Sequence, residues 1–221
     1  MRVRRLEVGP LAANCYLAWA DREGAGPRPC VVIDPGAEPE TILAAIADEG
    51  LRPDLLVATH CHGDHIAAVD ELLAAFPDAA FAAGEAESSW PADPVRNLSY
   101  GFGLPMRAAN PTRALVDGEE LRAGGLVFRV LAVPGHSPGS VALYCPEGRA
   151  VFTGDTLFAL NIGRGDLPGG DGRLLVRSIR ERLLTLPDET VVWPGHANRT
   201  RVGVERRSNP FCGEGASSTG C

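Results

Sequence analysis

The side chains best suited to chemistry lie where strand-like apolar runs give way to loops. Residues 55–58 lead into a loop that carries three histidines and an aspartate, and residues 151–153 lead into a second aspartate. The two remaining histidines each follow a short apolar run that ends in Pro-Gly. Because the carboxyl ends of neighbouring parallel strands lie at a common edge of a sheet, we expect these side chains to converge. The seven candidates are His60, His62, Asp64, His65, His136, Asp155 and His196.

The spacing within the first loop indicates two metal sites. In an extended stretch, residues two apart point to the same side, so His60 and His62 can bind one cation. Asp64 and His65 follow the turn at Gly63 and would face a second site. Asp64 also starts a helix, whose dipole favours a carboxylate there. Imidazole nitrogens and carboxylate oxygens are ligands that Zn²⁺ prefers.

The elements that must position these residues alternate between strands and helices. The pattern predicts one irregular segment, residues 83–112, in which Tyr100 and Phe102 belong either to a loop packed over a pocket or to a plain surface loop. Helices are predicted over residues 40–49, from about Asp64 to the stop at Pro77, and over 172–186. Strands are predicted over residues 14–20, 30–33, 55–58, 126–133, 141–144, 150–153 and 191–193.

Length and charge limit the possible functions. The 221 residues predict a single domain over 1–211, followed by a disordered tail over 212–221. The net charge of −7, without a basic run, gives nucleic-acid binding no support. No apolar stretch is long enough for a signal peptide or a membrane span, so we expect a cytoplasmic protein without a membrane partner. The six scattered cysteines predict mostly buried free thiols.

The motif His60-Cys61-His62-Gly63-Asp64-His65, with the three later candidates, resembles the pattern of the metallo-β-lactamase superfamily. The resemblance implies an α/β fold, an αββα four-layer sandwich, with the active site along one edge. It assigns His60, His62 and His136 to a first metal, Asp64, His65 and His196 to a second, and Asp155 to both. True β-lactamases usually carry Cys at the Asp155 position and have signal peptides, which argues against antibiotic hydrolysis.

Further stretches look like the glyoxalase II branch, the hydroxyacylglutathione hydrolases, in its short single-domain bacterial form. They are residues 134–140, 153–158, 163–171, 194–196 and 205–211. This resemblance implies two Zn²⁺ ions, with Fe or Mn as alternatives. It also implies a small thioester substrate such as S-D-lactoylglutathione, with Arg164 contacting a glutathione carboxylate. Two departures weaken the link to glutathione: the chain ends before the family's C-terminal helical domain, and Asp166 replaces an aromatic residue. Arg164 could instead pair with Asp166 or Asp171.

The expected mechanism is attack on the thioester carbonyl by a hydroxide bridging the two metals. Asp64 would orient the attacking water as well as bind metal, and Asp34 would support a ligand histidine from behind. The alternatives are an Fe-dependent persulfide dioxygenase using one set such as His60, His136 and Asp155, or a lactonase. A nuclease of the same fold is disfavoured by the acidic charge. The sequence leaves the oligomeric state open.

Overall fold

Three hydrophobic layers hold the sheets and helices together. The computed structural model describes residues 1–21 and 26–216. One layer lies between a sheet and the helices outside it, the second between two sheets, and the third between the other sheet and its own helices. Strand β2 (Ala13–Trp19) shows why: Cys15 and Leu17 pack into the first layer, whereas Tyr16 and Ala18 pack into the second. The fold is therefore an αββα sandwich, as predicted.

Within the described residues the strands form two six-stranded sheets and a short ribbon. The first sheet runs in chain order: β1 (Arg2–Val8), β2, β3 (Arg28–Ile33), β4 (Leu51–Val57), β5 (Ala80–Gly84) and β6 (Arg113–Leu115). The second sheet has the order β14 (Thr200–Arg201), β13 (Val191–Pro194), β10 (Ala150–Gly154), β9 (Val141–Cys145), β8 (Leu126–Ala132) and β7 (Glu120–Ala123). The ribbon pairs β11 (Leu157–Phe158) with β12 (Asn161–Ile162).

Strands β3 to β6 are parallel to one another, and β10 is parallel to β13. The helices are α1 (Pro39–Asp48), α2 (Gly63–Ile66), α3 (Val69–Ala75), α4 (Gly172–Ser178) and α5 (Val202–Ser208). No helix in the described part of the chain is long and apolar enough to cross a bilayer.

Two predicted helices differ in detail. The helix expected from Asp64 to Pro77 is divided into α2 and α3, because the N–H of Ala68 donates to Pro35 O at 2.9 Å instead of continuing the helical ladder. The helix expected over 172–186 is α4 followed by a π-helical turn, Ile179–Leu183. Strands β1, β5 and β6, which the sequence pattern did not predict, complete the first sheet.

The C-terminal segment remains packed slightly beyond the predicted domain end. Cys212, the first residue of the expected tail, is 2% exposed and lies in the third hydrophobic layer. Its carbonyl accepts a hydrogen bond from Arg180 Nε at 3.1 Å. Residues 217–221 lie outside the described residues. Five cysteines are buried and free, as predicted, and Cys221 falls outside the described part: the five are Cys15, Cys30, Cys61, Cys145 and Cys212.

Candidate metal centre

The loop after β4 delivers four of the seven predicted residues to one sheet edge. His60 and His62 are buried in the extended part of the loop, and His65 is fully buried in α2. Cys61, between the first two, points into the core between the first sheet and its helices. This alternation is what an extended stretch dictates, and it matches the expectation that Cys61 faces away from the site.

The second sheet supplies the other three residues. His136 follows β8, Asp155 directly follows β10, and His196 follows β13. Since β10 and β13 are parallel neighbours, Asp155 and His196 emerge at the same edge. The backbone of Asn14, at the start of β2, donates to Gly195 O at 2.7 Å and so joins this edge to the first sheet. All seven predicted side chains are thereby brought together.

Their ligand atoms form three overlapping groups, each within 4.8 Å. The groups are His60, His62 and His136; Asp64, His65 and His196; and His60, His65 and Asp155. The Asp155 carboxylate contacts both sides, with Oδ1 3.5 Å from His65 Nε2, and Oδ2 3.8 Å from His136 Nε2 and 3.5 Å from His196 Nε2. The first two groups coincide with the two sites expected from the sequence.

Several polar atoms at this edge are buried without a hydrogen-bond partner among the described residues. They include Nε2 of His60, Nε2 of His65 and Oδ1 of Asp155. A buried polar atom without a partner costs about 1–3 kcal/mol, and such atoms are rare in folded proteins. Cations bound at this edge would satisfy these donor atoms, so the residues present fit a metal centre.

The electrostatics of the metal-free site also favour cations. Burial and the neighbouring imidazoles lower the pKa of His60, and burial together with His136 lowers the pKa of His62 to about 3. Burial alone would also lower the pKa of His65, but the carboxylates of Asp64, Asp155 and Asp34 outweigh it and raise this pKa to about 10. The imidazoles of His60 and His62 are therefore neutral, whereas the carboxylates keep the ring of His65 protonated. The same carboxylates would attract a metal cation.

Two groups behind the candidate ligands His65 and His136 orient their imidazole rings. Asp34 Oδ2 lies 3.2 Å from His65 Nδ1, which confirms the expected support from behind. The same carboxylate accepts hydrogen bonds from the backbone N–H of Thr59 at 2.7 Å and from its hydroxyl at 2.8 Å. On the other side, His136 Nδ1 is 2.8 Å from the backbone oxygen of Arg164. Both contacts leave the opposite ring nitrogen, Nε2, on the side of the centre, where His136 Nε2 lies 3.0 Å from His62 Nδ1.

Arg164 contributes to the site through its backbone rather than through its guanidinium in this structure. The guanidinium makes two parallel bonds to Asp166, at 2.9 and 2.8 Å, and both side chains are well exposed. An exposed pair of this kind contributes little to stability. The alternative left open by the sequence, an ion pair with Asp166, is what the structure shows.

Glu87 is an important residue that no sequence motif marked. It is fully buried, and its carboxylate accepts from the N–H of Cys61 at 2.6 Å and from the N–H of Gly139 at 2.8 Å. One carboxylate thus joins the loop of His60 and His62 to the turn after His136. Its two partners are distant in sequence, so only the tertiary structure reveals the role.

Replacing Glu87 by glutamine is expected to weaken metal binding about 10- to 100-fold, in the range found when groups behind metal ligands are changed. The amide NH₂ cannot accept a hydrogen bond, so one of the two backbone N–H groups loses its partner. Competition with a chromophoric chelator measures the affinity, and the exposed neighbour Glu85→Gln is the matched control. Equal affinities in the two variants would contradict a positioning role for Glu87.

Comparison with known proteins agrees with this geometry. The family model described as "Metallo-beta-lactamase superfamily" matches residues 8–196. A "Probable metallo-hydrolase YqgX" from Bacillus subtilis is 40% identical over 212 residues, covering 96% of this chain and 97% of the relative. A "Hydroxyacylglutathione hydrolase GloC" from Haemophilus influenzae is 36% identical over 213 residues, covering 96% and 98%.

Two solved structures share the fold closely. The BLEG-1 B3 metallo-beta-lactamase has a TM-score of 0.88 and 35% identity, covering 96% of this chain and 99% of that one. TTHA1623, solved in a di-iron-bound form, has a TM-score of 0.80 and 41% identity, covering 94% and 99%. The family match spans most of the chain, and the His/Asp cluster stands at the common edge of the two sheets. The chain therefore belongs to the metallo-β-lactamase superfamily.

Proposed function

We propose that this protein is a dinuclear metal-dependent thioesterase of the glyoxalase II type, which hydrolyses S-D-lactoylglutathione or a similar small thioester. The observation that carries the proposal is the position of Asp155, whose carboxylate faces both the His60–His62–His136 group and the Asp64–His65–His196 group. Such an arrangement suits two adjacent cations. The hydroxyacylglutathione hydrolase relative, matched over nearly its full length, supports the choice of substrate class.

The first group would hold one cation, the second group the other, and Asp155 would bind both. Zn²⁺ suits this set of imidazole and carboxylate ligands, and Fe or Mn are also compatible with it. The di-iron form of the solved relative makes iron a serious candidate. When bound, the cations would lower the pKa of a water molecule and polarise the substrate carbonyl.

The remaining chemistry belongs to the chain's own residues. Asp64 Oδ2 lies 3.3 Å from His196 Nε2 within the second group, and its carboxylate would orient a water as well as bind metal. Asp34 and the Arg164 carbonyl keep His65 and His136 in fixed orientations. The leaving group is a thiolate whose parent thiol has a pKa of about 8.5, so it needs no general acid. The Arg164 guanidinium would bind a carboxylate of the thiol carrier after releasing Asp166.

The test is a hydrolysis screen with metal analysis on the same preparation. The panel contains S-D-lactoylglutathione, simple acyl thioesters, lactones and a β-lactam. We expect thioesters to be cleaved with the highest kcat/KM, and about two metal ions per chain. Preferential cleavage of the lactones or the β-lactam would contradict the thioesterase assignment.

One observation favours a second candidate, an Fe-dependent persulfide dioxygenase. The third group, His60, His65 and Asp155, contains two imidazoles and one carboxylate, the donor set of mononuclear non-haem iron oxygenases. Oxygen uptake with glutathione persulfide, in protein containing about one iron per chain, would support this candidate and displace the thioesterase.

A further inference from the structure

A cavity of about 340 Å³ adjoins the metal centre on the side of Asp64. It lies between the turn that joins β1 to β2 and the irregular loop that precedes β6, with the start of α2 at its base. The loop was expected either to cover a pocket or to lie plainly on the surface, and Phe102 lines the cavity. The wall includes Val8, Leu11, Asp64, Phe102, Leu104 and Met106.

The wall is apolar apart from one charge. Among the described residues that line it, Asp64 is the single ionisable group. The rim consists of large apolar side chains held in contact with solvent: Leu11 is 44% exposed, Phe102 56% and Leu104 64%. Clustered exposed apolar side chains beside a cavity are typical of a binding site, because leaving them in water is unfavourable.

Asp64 places the cavity beside the metal centre. The residue lines the cavity, and its carboxylate oxygen also lies 3.3 Å from His196 Nε2. A molecule whose scissile carbonyl lies at the centre could therefore extend one arm into the cavity. An anionic arm is disfavoured, because no cationic side chain lines the wall and the one charge there is negative. The otherwise apolar wall favours an uncharged arm over a charged one.

The volume of the cavity indicates which part of a thioester substrate it can hold. An apolar cavity of about 150 Å³ accommodates benzene, which has six carbons. The cavity here, at 340 Å³, is more than twice as large, far more than the three-carbon lactoyl group requires. The two carboxylates of glutathione would find no cationic partner in it. Arg164 lies outside its wall, on the side of His136.

We propose that this cavity, which we call the apolar pocket, binds an aliphatic chain of about six or more carbons. The chain is one arm of the thioester substrate whose carbonyl is attacked at the metal centre. The proposal rests on the proposed thioesterase function and narrows its substrate class. The arm belongs to either the acyl group or the thiol, since both flank the same carbonyl.

Two substrate series test the proposal on the metal-loaded enzyme. In one, acyl chains from acetyl to octanoyl are carried by N-acetylcysteamine; in the other, the acyl group stays acetyl while an alkyl thiol lengthens. We expect kcat/KM to rise by about threefold to fourfold per buried methylene in one series, until the pocket is full. A rise with acyl length places the acyl arm in the pocket, and a rise with thiol length places the thiol arm there.

A matched pair of variants links the effect to the pocket. Leu104→Arg puts a charge on the rim and should flatten the dependence on chain length. Val95→Arg puts the same charge on an equally exposed position in the same loop, outside the pocket wall, and should retain the dependence. Equal behaviour of the two variants would overturn the proposal.

The outcomes separate this proposal from the proposed function. Hydrolysis of thioesters with no chain-length dependence in either series overturns the pocket and leaves the thioesterase intact. If no thioester is cleaved, the proposed thioesterase function is wrong. Calorimetry with octanoate and butanoate then tests whether the pocket binds an aliphatic chain. Octanoate binding more than about tenfold tighter than butanoate binding, with the difference lost in Leu104→Arg, supports the pocket, and equal affinities overturn it.

Discussion

Replacing Asp155 by asparagine is expected to lower the kcat/KM of thioester hydrolysis by about 10³-fold or more, while the chain stays folded. Asparagine preserves the size of the side chain but removes its negative charge. The Asp155 carboxylate approaches His65, His136 and His196, which belong to both ligand groups, so its charge serves both proposed cations. Stabilisation of transition-state charge by cations amounts to several kcal/mol, and each 1.36 kcal/mol is a factor of ten in rate.

Metal content distinguishes loss of the centre from loss of the fold. The Asp155→Asn protein should retain a native circular-dichroism spectrum and bind fewer than two metal ions per chain. Asp78→Asn is the matched control, because Asp78 is exposed and pairs with Arg52 far from the centre. His62→Ala should lose hydrolysis in the same way, through the first ligand group. Near-normal turnover in either site variant would rule out the proposed roles of both residues.

Much of this centre could be predicted from the sequence because it depends on local rules. The loop from His60 to His65 follows a buried strand, and the alternation of an extended chain separates His60 and His62 from Cys61. Asp155 and His196 could be placed at one edge because each follows a short apolar run that had to be a strand. These inferences required only that the strands before Asp155 and His196 be parallel neighbours, which the structure shows.

The parts that the sequence did not predict depend on contacts between distant segments. Glu87 joins Cys61 to Gly139, and Asn14 holds the turn that carries His196 through bonds from its side-chain nitrogen to Pro194 O and Ala197 O. No periodicity marks such positions, because the partners meet only when the sheets pack. The division between α2 and α3 has the same origin, a bond from Ala68 to the neighbouring loop.

The sequence pattern did not predict strand β1, for a different reason. It is a partly exposed edge strand, and the residues of Arg2–Val8 include three arginines and a glutamate, which obscure its apolar alternation. Strand β5 contains three alanines and a glycine among its five residues, a composition with weak preference for strands. In both cases pairing with a neighbour, rather than local preference, determines the strand.

Removing the metal is expected to make stability strongly dependent on pH, with a maximum near pH 6.5. Below that value the buried His62, whose pKa is lowered to about 3 from an ordinary 6.5, resists the protonation that the unfolded chain accepts. Stability is therefore lost as the pH falls from 6.5 towards 3. Above pH 6.5 the relevant group is His65, whose pKa is raised to about 10 in the folded chain. Its contribution is complete below 6.5 and disappears as the pH rises through 10.

The metal-loaded protein should behave differently on the alkaline side. Bound cations would replace the Nε2 proton of His65 beside the carboxylates of Asp64 and Asp155, because metal ligands bind in their deprotonated forms. The gap in Tm between metal-loaded and chelator-treated protein should therefore widen between pH 6.5 and 10. Shifts of this size correspond to several kcal/mol, which is a large fraction of a domain's stability.

Thermal unfolding of both forms across pH 4–10 measures the effect, and Asp34→Asn provides the internal check. That substitution removes one of the three carboxylates that raise the pKa of His65, so the alkaline loss of stability in the metal-free variant should begin at lower pH. The acid side, which depends on His60 and His62, should keep its direction. A metal-free protein whose Tm is constant from pH 6.5 to 10 would show that the carboxylates do not hold His65 protonated, and the charge-based account of the centre would fail with it.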